Sequence, residues 1–126
     1  MELKLKQLLN GIDTLRHLAN SRGLKARVSY QISRNVKSID EELTNYDNIV
    51  KQTCEKYAVL DDEGKPVYSP EGNAMYSDNL SLTKEIEELQ ETVVDIDISP
   101  IPIDALDVVE LTPNDMISID YMIDAD

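Results

Sequence analysis

Residues 24–57 constrain this chain more than any other stretch, because thirty-odd positions pass without a proline or a glycine. Within them Val28, Ile32, Val36, Ile39, Leu43, Tyr46, Val50, Cys54 and Tyr57 recur at steps of three or four. That spacing draws one apolar stripe along a helix. At ~1.5 Å per residue the helix is about 50 Å long, well beyond the usual three or four turns. An apolar stripe of that length has to be covered, and the rest of the chain is read for what covers it.

The preceding residues, 3–22, repeat Leu5, Leu8, Ile12, Leu15 and Ala19, with Leu9 and Leu18 widening the face, and predict a first helix. Gly11 lies inside it at a cost of ~1 kcal/mol relative to alanine, which points to a close crossing or to tolerance. Arg22 and Gly23 close the helix with a basic last turn and a residue suited to the left-handed conformation. So short a link makes the two helices an antiparallel hairpin. The first helix is about 28 Å long on the same rise, so the second overhangs it by several turns. The overhang carries Leu43, Tyr46, Val50, Cys54 and Tyr57, the expected self-association stripe unless a later segment folds back. In a chain of 126 residues with no Phe or Trp, the core rests on aliphatics, six tyrosines and four methionines, and a homo-oligomer is expected.

Beyond residue 57 the pattern changes. Residues 58–79 hold two turn clusters, Asp61-Asp62-Glu63-Gly64-Lys65-Pro66 and Ser69-Pro70-Glu71-Gly72-Asn73, between short apolar pieces. They predict a three-stranded meander or, since two turns with few apolar residues bury little, a partly disordered loop, and no internal repeat is visible in the chain. Residues 81–92 predict a helix capped by Ser81, with Leu82, Ile86 and Leu89 inward. Residues 93–98 alternate, placing Val94, Ile96 and Ile98 on one face of a strand ended by Pro100. Thr112-Pro113-Asn114-Asp115 opens a last helix with Met116, Ile119, Met122 and Ile123 inward. The expected class is α+β, one domain over 1–126: a helical hairpin (1–57), a meander (58–79) and an acidic helix-strand-helix segment (80–126) that folds back.

Charge divides along the same line. Residues 1–57 carry ten Lys and Arg against seven acids, the remainder two against eighteen, and the whole is −13. Lys25, Arg27, Arg34 and Lys37 form a basic patch near the hairpin bend, with Tyr30 nearby. Glu85, Glu88, Asp95, Asp97, Asp104 and Asp107 form the candidate partner-binding acidic face. Basic and acidic segments attract within or between copies, and nucleic-acid binding by the whole molecule is disfavoured by repulsion from phosphate. The alternative is that the acidic face imitates a nucleic-acid backbone and inhibits a basic host enzyme.

Little in the sequence carries catalytic chemistry. His17 has no marked nucleophile to serve, and Cys54 sits on the apolar stripe as a small core thiol. Asp61-Asp62-Glu63-Gly64 lacks the alternating ligand spacing of a calcium loop. Asp95, Asp97, Asp104 and Asp107 would need their two segments to converge, and no Cys/His cluster exists for zinc. No cofactor, metal, small-molecule substrate, membrane span or signal peptide is expected, and the expected location is the cytoplasm, or a virion.

Taken together, the motifs resemble a small phage- and prophage-encoded family of unknown function. They are the opening Met1-Glu2-Leu3-Lys4-Leu5, the Glu41-Glu42-Leu43 step, and Lys56-Tyr57 followed by Asp61-Asp62-Glu63-Gly64. A Glu-rich helix, an alternating strand and Thr112-Pro113-Asn114-Asp115 complete the set. Ser29-Tyr30-Gln31 departs from the plainer apolar and basic run expected there. The resemblance implies a viral origin and a non-enzymatic role, and carries no site residues; the expected function is that of a self-associating interaction protein in virion assembly or structure.

Overall fold

The computed structural model describes residues 1–125, so Asp126, the end of the expected acidic segment, lies outside the described residues. The fold is α+β. Its elements are β1 (Glu2–Lys4), α1 (Leu5–Ala19), α2 (Ala26–Tyr57), α3 (Asn79–Gln90), β2 (Val93–Asp95), β3 (Ile101–Pro102), α4 (Pro113–Ser118) and β4 (Ile123–Asp124). Short 3-10 segments, Ile103–Val108 and Asp120–Met122, flank α4. β1 and β2 pair antiparallel with Leu3 opposite Val94, and β3 and β4 pair parallel with Ile101 opposite Ile123.

Helices α1 and α2 form the expected hairpin, and their stripes meet: Leu8, Leu15, Leu18, Ile32 and Ile39 are all but inaccessible to solvent. Each such aliphatic side chain contributes roughly 1.5–3 kcal/mol by leaving water. Helix α1 begins two residues later than expected, because Glu2–Lys4 is drawn into the ladder with β2. The Leu5 N–H then donates to the Thr92 carbonyl at 3.0 Å, and the Gln7 side chain accepts from the Lys4 N–H at 2.9 Å. The helix also ends three residues early. Asn20 Nδ2 and Ser21 Oγ donate to the carbonyls of Arg16 and His17, which ends the ladder before Gly23 takes its positive φ of 88°.

Gly11 is the point where α4 rests on α1. A Cβ there would stand 2.5 Å from the Ser118 carbonyl oxygen, so the close crossing, not tolerance, explains the glycine. Thr112 caps α4 as expected: its Oγ accepts from the Asp115 N–H at 3.1 Å, and the Asp115 carboxylate accepts from the Thr112 N–H at 3.0 Å. The helix is a single turn and a half. Ile119 and Met122, from the turn that follows, fill the core, while Met116 and Ile123 pack at its edge.

The C-terminal part of the chain folds back over the hairpin. Helix α3 starts at Asn79, capped by Asp78 rather than Ser81: the Asp78 carboxylate accepts from both the Ser81 N–H and its hydroxyl, which holds the acid below its usual pKa. It runs back along the overhang, burying Leu82 and reaching Tyr46 through a Gln90 Nε2 to hydroxyl hydrogen bond of 2.9 Å. The expected strand over 93–98 is laddered to β1 as far as Asp95, with one further backbone bond from the Ile96 N–H to the Met1 carbonyl at 2.8 Å. Its alternation continues regardless, with Ile96 buried and Val94 and Ile98 packed on the core. There the backbone finds a side chain instead of a strand. Asn35, fully buried on α2, accepts from the Ser99 N–H at 2.7 Å and donates to the Ser99 carbonyl at 2.9 Å.

Candidate interaction surface

The overhanging end of α2 was expected to offer Leu43, Tyr46, Val50, Cys54 and Tyr57 to a second copy. Leu43 and Tyr46 are instead buried within the chain, and Val50 packs against the same core. Cys54 and Tyr57 are half-buried under the segments that follow. This corrects the expected self-association stripe: α3 runs along that face, Gln90 reaching Tyr46, and Tyr76 and Ser77 lie against Cys54 and Tyr57.

Basic and acidic segments meet inside the molecule. Lys4 and Lys6 both reach Glu91, at 2.7 and 2.6 Å, and hold its carboxyl down to a pKa of about 2. Lys56 lies 3.0 Å from Glu85; the contact lowers the carboxyl and raises the amine. The same carboxylate raises the neighbouring Tyr57 hydroxyl. Of the expected acidic face, Glu85, Asp95 and Asp97 are therefore held in ion pairs, the last two by the Met1 amino group and by Arg34. Glu88, Asp104 and Asp107 are exposed, and none of the three forms an ion pair among the described residues. Of the basic patch, Arg34 is used in this way, whereas Lys25, Arg27 and Lys37 form no ion pair among the described residues. The chain's own acids thus take up Arg34 and leave the bend itself positive.

The region the sequence read least well is the one the core does not reach. Residues 58–79 form a cap beyond α2 in which no residue is buried. Three short segments are joined by single antiparallel bridges: Leu60 with Pro66, Tyr68 with Ala74, and Tyr76 back to Ala58. The hydrogen bonds run round in a ring, Val67 N–H to Val59 carbonyl, Met75 N–H to Val67, and Val59 N–H to Met75, at 2.9, 3.0 and 3.0 Å. An eight-residue repeat, not anticipated from the sequence, produces this. Asp61 to Lys65 and Ser69 to Asn73 are equivalent turns, each with a glycine at positive φ, 79° and 85°, donating back to the turn's first residue. Asp61 Oδ1 and Ser69 Oγ accept backbone N–H groups within their own turns. The signal was in the chain: Glu-Gly at 63–64 and 71–72, and Val-Tyr or Met-Tyr at 67–68 and 75–76.

The ring leaves its larger apolar groups outside. Leu60, Tyr68 and Met75 are 55%, 61% and 45% exposed, and Leu80 beside them 85%. The same residues 58–79 carry five acids, Asp61, Asp62, Glu63, Glu71 and Asp78, against the single Lys65. Inside the cap the Tyr76 hydroxyl lies against the Cys54 thiol, which raises its pKa.

At the other end of α2 a groove of about 340 Å³ runs between the hairpin bend and the 3-10 turn Ile103–Val108. Leu24, Val28, Ala105 and Val108 supply its apolar wall, with Lys25 and Asp104 at the rim. A separate hollow of about 550 Å³ is lined by three amides, Gln7, Asn10 and Asn114, two hydroxyls, Ser118 and Tyr121, the Asp120 carboxylate and Ile117. Beside it the Tyr121 hydroxyl is shut off from solvent without a hydrogen-bond partner, and burial raises its pKa to about 12. His17 Nε2 lies 3.2 Å from the Glu110 carbonyl, tying α1 to the acidic segment. Among the described residues no three potential metal ligands converge, so Asp95 and Asp97 do not meet Asp104 and Asp107 in a cation site. No helix of the described residues is long and apolar enough to cross a membrane.

No family model matches the sequence, and no curated protein or solved structure matches it either.

Proposed function

We propose that this chain is a phage-encoded, non-enzymatic interaction protein that self-associates and serves virion assembly or structure. One observation carries the reading: the cap holds Leu60, Tyr68 and Met75 in water, with Leu80 exposed in the first turn of α3, at the tip of a long helix whose own stripe is largely covered. Clustered apolar side chains rimmed by charge mark protein contacts. The self-association expected of the Leu43–Tyr57 stripe is thereby reassigned to surfaces that remain exposed. Static and dynamic light scattering test it, with more than one copy per particle expected at tens of micromolar and proteomics of purified phage particles expected to recover the chain. A monomer at every concentration, together with absence from the particles, would remove the proposal.

The acidic-inhibitor reading stands second. Glu88, Asp104 and Asp107 remain exposed for a basic partner, while Glu85, Asp95 and Asp97 are engaged within the chain. Pull-down of host nucleic-acid enzymes with the wild type, lost in the triple neutral variant Glu88→Gln, Asp104→Asn, Asp107→Asn, would favour it.

A further inference from the structure

We propose that the contact between copies is head to tail: the acidic cap of one copy docks in the apolar groove beside the basic hairpin bend of the next. This rests on the self-association reading above and names its surfaces. Three observations lead to it. The first is that both poles of the molecule hold apolar surface the chain leaves uncovered. At the cap these are Leu60, Tyr68 and Met75; at the groove Val108 is 60% exposed above Leu24 and Val28. A groove of about 340 Å³ is large enough to take one aromatic side chain, and Tyr68 is the most exposed aromatic of the cap.

The second observation is charge. Arg22, Lys25 and Arg27, clustered at the bend, make no ion pair among the described residues, although the chain as a whole is −13. The cap carries five acids against one lysine. Contact between two caps would bring like acids together, and contact between two bends would do the same for cations. Only the unlike pairing relieves both. Asp104 at the rim of the groove, with Asp107 exposed one turn further on, weakens the positive field without cancelling it.

The third is distance. Helix α2 has 32 residues, so the poles lie about 48 Å apart on one uninterrupted rod and a cap cannot reach its own groove. A contact between unlike surfaces at opposite ends is heterologous. It propagates from copy to copy and ends in a ring or a filament rather than a two-fold dimer. A single tip in a single groove buries a small area, so the affinity per contact is weak, in the micromolar range.

The test uses two exposed positions, Tyr68→Glu at the cap and Val108→Glu at the groove, with thermal melts confirming that each variant folds like the wild type. In light scattering the wild type is expected to gain mass steadily with concentration, and each variant alone to remain a monomer. Mixed one to one, the variants are expected to form a dimer and nothing larger, because only one intact cap and one intact groove remain to pair. Assembly of the wild type is expected to weaken about tenfold between 50 and 500 mM salt. Should both variants assemble like the wild type, head-to-tail docking fails while self-association stands. A mixture that stays monomeric, or assembly that salt leaves unchanged or tightens, also overturns the docking. A wild type that is monomeric throughout removes both.

Discussion

The proximal part of α2 and the cap beyond its last turn are held together by different means. Along the proximal part, Ile32 and Ile39 belong to one cluster of buried aliphatic side chains, and the fully enclosed Asn35 among them has both amide atoms bonded to Ser99. In the cap no residue is buried, and three bridges closed into a ring of backbone hydrogen bonds maintain the shape. A hydrogen bond exposed to water contributes little net stability, whereas the same bond in the core is costly to lose. The core is therefore expected to unfold as a unit, and the cap to open separately at lower free energy.

Asn35 gives the harshest way to break that contrast. Asn35→Ala leaves the Ser99 N–H and carbonyl without their partners and is expected to cost about 2–5 kcal/mol in urea denaturation. A cost below about 0.5 kcal/mol would mean that water replaces the amide and that the segment is not sealed. Gly11→Ala comes next. Helix propensity alone would stabilise by ~1 kcal/mol, but the Cβ collides with the Ser118 carbonyl, so a net loss of about 1–3 kcal/mol is expected. A stabilised variant would show that α4 moves away freely.

The cap answers differently. Gly72→Ala forces a left-handed conformation on alanine at about 1–2 kcal/mol, yet the cost falls on cap opening alone. Hydrogen exchange at Val59, Val67 and Met75 should accelerate about tenfold while the global melting temperature moves by about a degree or less. A fall in melting temperature as large as that of Gly11→Ala would show that cap and core are one unit. The smallest effect belongs to Glu91. Its folded carboxyl titrates at about 2, below the ordinary 4.5, so its contribution is complete above the ordinary range and disappears as pH falls through the folded value. Glu91→Gln should flatten the melting temperature between pH 4.5 and 2, modestly, since the pair is exposed and screened by salt.

Much of the core was legible because it follows helical and strand periodicity: the α2 stripe, the alternation of Val94, Ile96 and Ile98, the Thr112 cap. What escaped obeys other rules. Glu2-Leu3-Lys4 is too short to display a period, and its partner strand lies some ninety residues away. Asn35 sits three residues after Ile32 and four before Ile39, which is core spacing, but a polar residue there reads as surface until Ser99 is seen. The cap repeat hid in the turns because its bond pattern depends on glycine placement, not hydrophobicity. The exposed tip could not be separated in advance from ordinary strand residues, since exposure depends on which segments α3 and the C-terminal third chose to cover.

The Asn35–Ser99 clamp spans 64 residues, and β1 meets its partner strand over a still longer interval. On the ribosome, both helices of the hairpin therefore emerge with their facing stripes only half sheltered, and wait until the residues around Met122 have been made before the last wall arrives. Synthesis at some 5–20 residues per second makes that a delay of several seconds. During it the nascent chain presents Ile32, Ile39 and Leu43 to whatever is nearby, so a polysome crowded with sister chains, rather than the finished protein, is where misassembly is most dangerous.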